Sequence, residues 1–158
     1  MNATQTVVID EVKTGETPDG CFHDILELEW FENKKQKLTR AAVSGLVLEL
    51  RLGIRKEWQQ GDLLYSGGKL VAAIGFKPCL TICFTVRDDG EAADFCYFIG
   101  NQHLPLFFTQ KQEFMVPYDG RLYEQLSSRY TGRIELINTQ LLFSRSLRHL
   151  IQNKTHEI

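Results

Sequence analysis

The pattern of apolar and polar positions changes character near residue 77. Up to residue 76, short apolar stretches alternate with glycine-containing turns, and no stretch keeps a helical period. Residues 24–30 alternate between apolar and polar side chains, which is typical of a half-buried strand. Gly67-Gly68 separates two further apolar stretches and indicates a tight hairpin, because both glycines tolerate positive φ. We therefore predict a small all-β domain over residues 1–76.

The rest of the chain predicts the element order β-α-β-β-α-β. A continuous apolar stretch at 79–86 predicts a buried strand, and apolar residues at helical spacing predict helices after Asp88-Asp89 and after the capping residue Asp119. The remaining strands are predicted near 106–109, 114–116 and 134–137. This order is the ferredoxin-like pattern, an antiparallel sheet with two helices on one face. We predict an α+β protein with a ferredoxin-like domain at 77–141 and a C-terminal tail at 142–158.

Composition and charge narrow the classes of partner. The chain has 158 residues, of which 43% are hydrophobic and 24% charged, and its formal net charge is -2. These values are typical of globular proteins and give no basic surface for nucleic acid. No apolar run approaches the roughly 18 residues of a membrane helix, and the N-terminus lacks the features of a secretory signal. We expect a cytoplasmic protein without nucleic-acid or membrane partners.

One histidine, His103, lies between the first predicted helix and Pro105. Gly100 is suited to end that helix, so we expect His103 on a turn from which its ring reaches outward. Imidazole is the commonest metal-binding side chain. One imidazole is too few to hold a divalent ion, but a two-fold dimer supplies the same turn twice. Two copies of His103 are therefore a candidate metal site at a homodimer interface.

The tail contributes two further candidate ligands, His149 and His156. In a continuous helix their separation is about 10.5 Å along the axis, which is too far for one ion, whereas a flexible tail removes that restriction. We favour His156, because His149 lies in an apolar pattern that indicates packing or a partner contact. Imidazole ligands suit nickel, copper and zinc, so these residues by themselves do not select the ion.

The cysteines and one charged segment are weaker candidate sites. If 79–86 is a strand, Cys79 and Cys83 are roughly 13 Å apart and cannot share an ion, so buried reduced thiols are expected. Cys21-Phe22-His23 is explained by a surface turn. The lysine-rich segment 32–37, with Arg40 beyond it, is either a solvated hairpin end or a docking patch for an acidic partner surface.

Two motifs resemble those of the urease accessory proteins of the E type. They are Gly100-Asn101-Gln102-His103-Leu104-Pro105-Leu106 and Val116-Pro117-Tyr118-Asp119, and the family shows a Gly-Asn-x-His-x-Pro-Leu turn before a Val-Pro-Tyr-Asp helix start. The segments Ile25–Trp30, Ser44-Gly45 and Gly61–Tyr65 also resemble the N-terminal domain of that family.

The resemblance implies a homodimeric nickel metallochaperone with His103 as the interface ligand. It further implies that Ni(II) is cargo, delivered to apo-urease through complexes with the urease accessory GTPase, and that the β domain binds partners. Zn(II) and Cu(II) are expected competitors, because imidazole ligands accept both.

The sequence departs from the family in two places. Some members carry a second metal-binding histidine after the Tyr-Asp pair, where this chain has Gly120. Many members end in a histidine-rich tail, whereas this tail holds only His149 and His156. We therefore expect a low capacity, on the order of one tightly held ion per dimer.

Two other functions compete with that of a metal carrier. A metal-free adaptor would use the β domain to bind a protein partner. An enzyme would need a catalytic constellation, and neither a nucleophile signature nor a phosphate loop is evident. His103 is a candidate general base for this alternative, with Asp119 or Tyr118 as the residue that orients it. We predict a nickel metallochaperone that is not an enzyme, with the adaptor as the alternative.

Overall fold

The computed structural model describes residues 5–15, 23–51, 53 and 57–154. The chain divides into two compact units, Met1–Lys77 and Pro78–Ile158. Strands occur in both units, and the three α-helices of the described residues all lie in the second. The predicted α+β class is confirmed. No helix within the described ranges is long and apolar enough to span a membrane.

The first unit contains seven described strands in two sheets. They are β1 (Thr6–Val8), β2 (Glu11–Lys13), β3 (Asp24–Leu28), β4 (Lys37–Ala41), β5 (Val47–Arg51), β6 (Leu63–Ser66) and β7 (Lys69–Phe76), with a 3-10 helix at Trp30–Glu32. The sheets have the strand orders β1-β5-β4 and β2-β6-β7-β3. The β6–β7 turn places Gly67 at φ 58° and Gly68 at φ 77°, as the predicted hairpin requires.

The strand predicted at 24–30 ends two residues early. Leu26 and Leu28 are buried and Ile25 is exposed, which confirms the alternation. However, the Glu29 backbone N–H donates to the Glu32 carboxylate at 2.9 Å, and the Glu32 N–H donates to the Glu29 carbonyl at 2.9 Å. These reciprocal bonds turn the chain into the 3-10 helix and remove Trp30 from the strand.

The second unit follows the predicted order and continues beyond it. Its elements are β8 (Cys79–Thr85), α1 (Asp89–Asn101), β9 (Phe107–Phe108), β10 (Glu113–Pro117), α2 (Gly120–Arg129), β11 (Ile134–Thr139), a 3-10 helix (Phe143–Arg145) and α3 (Leu147–Lys154). Its antiparallel sheet has the order β11-β8-β10-β9. Asp88 and Asp119 cap α1 and α2 by accepting backbone N–H bonds. The predicted cap Asp119 is confirmed, and of the pair Asp88-Asp89 it is Asp88 that caps α1.

The two helices α1 and α2 share one apolar core with the sheet. Phe95 and Ile99 of α1 and Leu122 and Leu126 of α2 are buried against the strands. The Phe84 ring of β8 stacks on Phe95 with centroids 4.9 Å apart. Burial of each large apolar side chain contributes about 1.5–3 kcal/mol, so this core is a main source of stability for the second unit.

The chain after β11 returns to the opposite edge of the same sheet. Ser146 forms a bridge with Phe107 of β9, and the Leu147 N–H donates to the Leu106 carbonyl at 2.8 Å. Residues 147–154 then form α3. Much of the predicted tail is therefore ordered against the residues that follow His103.

Candidate metal centre

The turn after α1 has the hydrogen bonds of a Schellman motif. The His103 N–H donates to the Gly100 carbonyl at 3.0 Å, and the Leu104 N–H donates to the Ile99 carbonyl at 3.4 Å. His103 is the left-handed residue of this motif, with φ 56°. The predicted turn position of His103 is confirmed, but the stop expected at Gly100 is wrong, because α1 continues to Asn101.

The His103 side chain is exposed while the residues after it are anchored. Leu104 packs against the core cluster that contains Ile99, and Leu106 is buried in it. A left-handed conformation costs a residue other than glycine about 1–2 kcal/mol. The apolar anchors on the C-terminal side and the two hydrogen bonds hold the turn against that cost, so the imidazole is presented outward on a fixed backbone.

The second motif lies at the same end of the unit as the His103 turn. Arg133 binds both Glu91, near the start of α1, and the Thr85 carbonyl at the end of β8. Helix α1 therefore runs back along β8, and its last turn lies toward the beginning of that strand. There the Tyr118 N–H donates to the Leu80 carbonyl at 3.0 Å.

Three exposed apolar residues cluster at this end, and we call them the terminal patch: Leu80, Tyr118 and Leu136. Their exposed fractions are 44%, 44% and 43%. Leu80 pairs with Asn138 and Leu136 pairs with Ile82, so the two leucines are diagonal neighbours on one face of the sheet. Exposed apolar clusters of this kind mark interaction surfaces.

His149 lies on α3, two residues after the bond that ties Leu147 to Leu106. Its half-buried ring contacts Phe143 edge-on, with centroids 5.5 Å apart and an interplanar angle of 74°. The tertiary structure thus brings the helix of His149 to the segment that begins with His103. The other predicted tail ligand, His156, lies outside the described residues.

Within the described part of the chain, no group of three or more histidine, cysteine or acidic side chains is placed to hold a metal ion. Any ion at His103 would therefore need donors from beyond these residues or from a second chain.

The described thiols are poor candidate ligands. Burial raises the pKa of the Cys83 thiol to about 12, and the hydrogen bond from its Sγ to the Glu113 carboxylate at 3.5 Å acts in the same direction. Burial also raises the pKa of Cys96. Because the thiolate is the form that binds metal, the raised pKa keeps both side chains in the protonated thiol form, which binds metal poorly. Cys79 is half-buried, and Cys21 lies outside the described residues.

The lysine-rich segment is not a uniform solvated run. Glu32 is buried and accepts two hydrogen bonds from Arg40, at 2.7 and 2.6 Å. The Arg40 guanidinium lowers the pKa of Glu32 to about 2. Lys34, Lys35 and Lys37 remain exposed. The sequence showed both charges, but the local pattern gave no sign that Glu32 is buried.

Comparisons with known proteins agree with the motifs. No family model matches the chain. It is 30% identical to the urease accessory protein UreE of Acetivibrio thermocellus over an aligned segment of 103 residues. That segment covers 65% of this chain and 67% of the UreE protein. UreE of Flavobacterium johnsoniae is 31% identical over 108 residues, which are 66% of this chain and 64% of that protein. UreE of Actinobacillus pleuropneumoniae is 34% identical over 112 residues, which are 69% of this chain and 58% of that protein. The match thus spans two thirds or somewhat less of these relatives.

Proposed function

This chain belongs to the UreE family of urease accessory proteins and is an accessory protein, not an enzyme, and we propose that it carries Ni(II) for assembly of the urease active site. In this proposal a homodimer binds the ion between two copies of His103. The left-handed His103 turn is the observation that carries the proposal, because it presents an exposed imidazole on a strained but anchored backbone.

The proposal assigns a role to each part of the chain. Residues 1–76 form an all-β partner-binding domain, 77–141 a ferredoxin-like domain for metal binding and dimerisation, and 142–158 the tail. The order β8-α1-β9-β10-α2-β11 and the sheet order β11-β8-β10-β9 support a ferredoxin-like second domain. The exclusively strand and 3-10 content of the described residues of the first unit supports the first assignment.

The terminal patch supports a dimer in which the two His103 turns meet. Leu80, Tyr118 and Leu136 lie at the end of the unit that carries the turn, and a second copy packed there would cover them. At about 25 cal/mol per Å² of apolar surface, covering such residues favours association. In a two-fold arrangement each copy contributes the same residues, so the site is complete only in the dimer.

Tail histidines complete the coordination in this proposal. His156 is the favoured ligand, and His149 is the second candidate, whose helix is tied to Leu106 beside the turn. With few ligands, we expect about one tightly held ion per dimer. Such a shell lacks the closed four-ligand cage of structural zinc and permits release of the cargo. Zn(II) and Cu(II) compete for the same imidazoles.

The partners follow from the family and stay proposals for this chain. We propose that the dimer acts in the cytoplasm and passes nickel to an apo-urease complex together with the urease accessory GTPase. The exposed Phe31, Lys34 and Lys37 of the first unit are suitable contacts for a partner surface. The same exposed residues favour the alternative, a metal-free adaptor that only binds partners.

Nickel titration by calorimetry, with mass measured by light scattering, tests the proposal. Wild type should bind nickel tightly as a dimer. His103→Ala should lose the tight site and remain a folded dimer, because the side chain is exposed on a turn. His23→Ala, which changes a histidine of the first unit, is the matched control and should bind as wild type does.

Truncation after Gln152 and His149→Ala assign the tail ligand. The variant that weakens nickel binding identifies the contributing histidine, and unchanged affinity in the truncated chain would exclude His156.

Wild-type nickel affinity should also decrease from pH 8 to pH 5, since protonated imidazole cannot ligate. A His103→Ala dimer that binds nickel as tightly as wild type would refute the site. If the wild-type protein binds no nickel, the metal carrier is refuted and the metal-free adaptor is the supported function.

A further inference from the structure

The second unit contains a groove of about 540 Å³ that the nickel proposal does not use. On one side lies the β9–β10 hairpin, with Thr109 and Lys111, and on the other the segment that follows β11, with Leu142 and Arg145. We call it the strap groove. Its volume falls within the roughly 300–1,000 Å³ of binding pockets in proteins.

The floor of the strap groove is apolar. Phe107 and Met115 are almost fully buried neighbours on β9 and β10, where they pair directly. Ile137 of β11 and Leu142 add further apolar lining. Phe107 and Met115 are already shielded. A ligand seated here would therefore cover the accessible surface of the half-buried Ile137 and Leu142, and removal of apolar surface from water favours binding.

Charged side chains at the groove give it a net positive lining. Lys111 and Arg145 are exposed, and neither forms an ion pair with any residue that the structure describes. The acidic residue of the lining, Glu113, accepts a hydrogen bond from the buried Cys83 thiol. Two such cations beside an apolar floor favour an anionic ligand that also carries apolar groups.

We propose that the strap groove binds an extended segment of a partner protein in which acidic residues alternate with apolar ones. In an extended chain, successive side chains point to opposite sides. The apolar residues of the bound segment can therefore contact the groove floor while its carboxylates reach Lys111 and Arg145. A nucleic-acid strand would offer phosphates to the same cations, but its bases would need aromatic surfaces to stack on, whereas the floor's aromatic residue Phe107 is only 3% exposed.

A synthetic peptide with the repeating order Asp-Leu-Glu-Val, labelled with fluorescein, tests this inference on the full chain. Fluorescence anisotropy should show saturable binding, and a peptide with lysine at each acidic position should not bind. The double variant Lys111→Glu/Arg145→Glu should bind the acidic peptide at least about tenfold more weakly, because like charges then oppose it. The matched control Lys69→Glu/Arg87→Glu changes two exposed cations outside the groove, has the same net charge and should bind as wild type does.

Blocking the groove provides a second, charge-independent arm. Thr139→Trp places a large side chain at the lining without removing a core residue, and it should weaken peptide binding by a similar factor. Thermal unfolding of each variant checks the fold. Amide chemical shifts of the wild type should change at 107–113 and 137–145 when the peptide is added.

Several results would overturn the inference. They are no binding of the acidic peptide, equal loss in both charge-reversal variants, shift changes confined to other residues, and displacement of the peptide by a short oligothymidylate. Nickel binding should be unaffected by Lys111→Glu/Arg145→Glu, so the fate of this inference can be separated from that of the nickel site.

Discussion

At the residue scale, His103 combines candidate chemistry with an unfavourable backbone conformation. Glycine is the usual residue at the left-handed position of a Schellman motif, and His103 occupies it with φ 56°. The hydrogen bonds of the motif use the backbone only, so any side chain could make them. The imidazole therefore contributes nothing to these bonds and is available for another role.

Because the backbone forms the turn and the imidazole takes no part in it, His103→Gly should have opposite effects on stability and on metal binding. Relief of the left-handed conformation, worth about 1–2 kcal/mol, is partly offset by the greater freedom of glycine in the unfolded chain, so we expect a gain of about 0.5 kcal/mol. Tight nickel binding should be lost. Urea unfolding and calorimetry measure the two effects.

Gln112 is the matched control, because it is exposed and has φ 60° in the β9–β10 hairpin. Gln112→Gly should give a similar gain in stability and leave nickel binding intact. A loss of more than about 1 kcal/mol in His103→Gly would show that the ring itself supports the turn.

Glu32 predicts a pH-dependent contribution to stability. Its pKa is about 2 in the folded protein, below its ordinary value, because Arg40 binds the carboxylate. The unfolded chain therefore binds the proton first, so the stabilisation is complete above about pH 5 and is lost as the pH falls toward 2. We expect Glu32→Gln to lose about 3 kcal/mol at pH 7 and little at pH 2.

Urea unfolding at several pH values measures this difference. Glu49→Gln is the control, because Glu49 pairs with Arg51 at 3.1 Å on the surface and should cost at most about 1 kcal/mol. If the two variants lose equal stability at pH 7, burial of the Glu32 carboxylate adds nothing to the stabilisation that a surface ion pair provides.

At the element scale, the caps decide where α1 and α2 begin. The Asp119 carboxylate accepts the Leu122 N–H at 2.9 Å, at the start of the helix that buries Leu122 and Leu126. Local features of this kind are readable from sequence, because the acceptor and donor are three residues apart. The same holds for the Gly67-Gly68 hairpin.

Asp119→Ala should destabilise the protein by about 1 kcal/mol through loss of this cap. Asp119→Asn retains an acceptor oxygen and should recover most of the loss. Thermal unfolding of both variants at pH 7 provides the comparison. An asparagine variant as unstable as the alanine variant would show that the negative charge, and not the hydrogen bond, provides the stabilisation.

At the scale of the whole molecule, the dimer proposed around the terminal patch makes nickel binding depend on association. Leu136→Lys places a charge on the patch, and we expect a monomer that folds normally and binds nickel weakly. Light scattering and nickel calorimetry on the same sample measure both properties. Val43→Lys, at an exposed position of the first unit, is the control and should stay dimeric. A fully dimeric Leu136→Lys protein would exclude this patch as the interface.

The sequence determined the features that depend on neighbours along the chain. The element order, the two helix caps, the hairpin glycines and the turn position of His103 all follow from spacing within a few residues. The two motifs, each only a few residues long, were also enough to indicate the family. These features are local, and local preferences are what a sequence pattern records directly.

Which distant segments meet is visible only in the folded chain. Only folding buries the Glu32 carboxylate against Arg40, returns Leu147 to Leu106, and assembles the terminal patch from β8, β11 and the connection between β10 and α2. It also selected His103, not Gly100, as the left-handed residue, since Leu104 is anchored in the core. Such contacts depend on packing between segments far apart in the chain, for which the local pattern contains no signal.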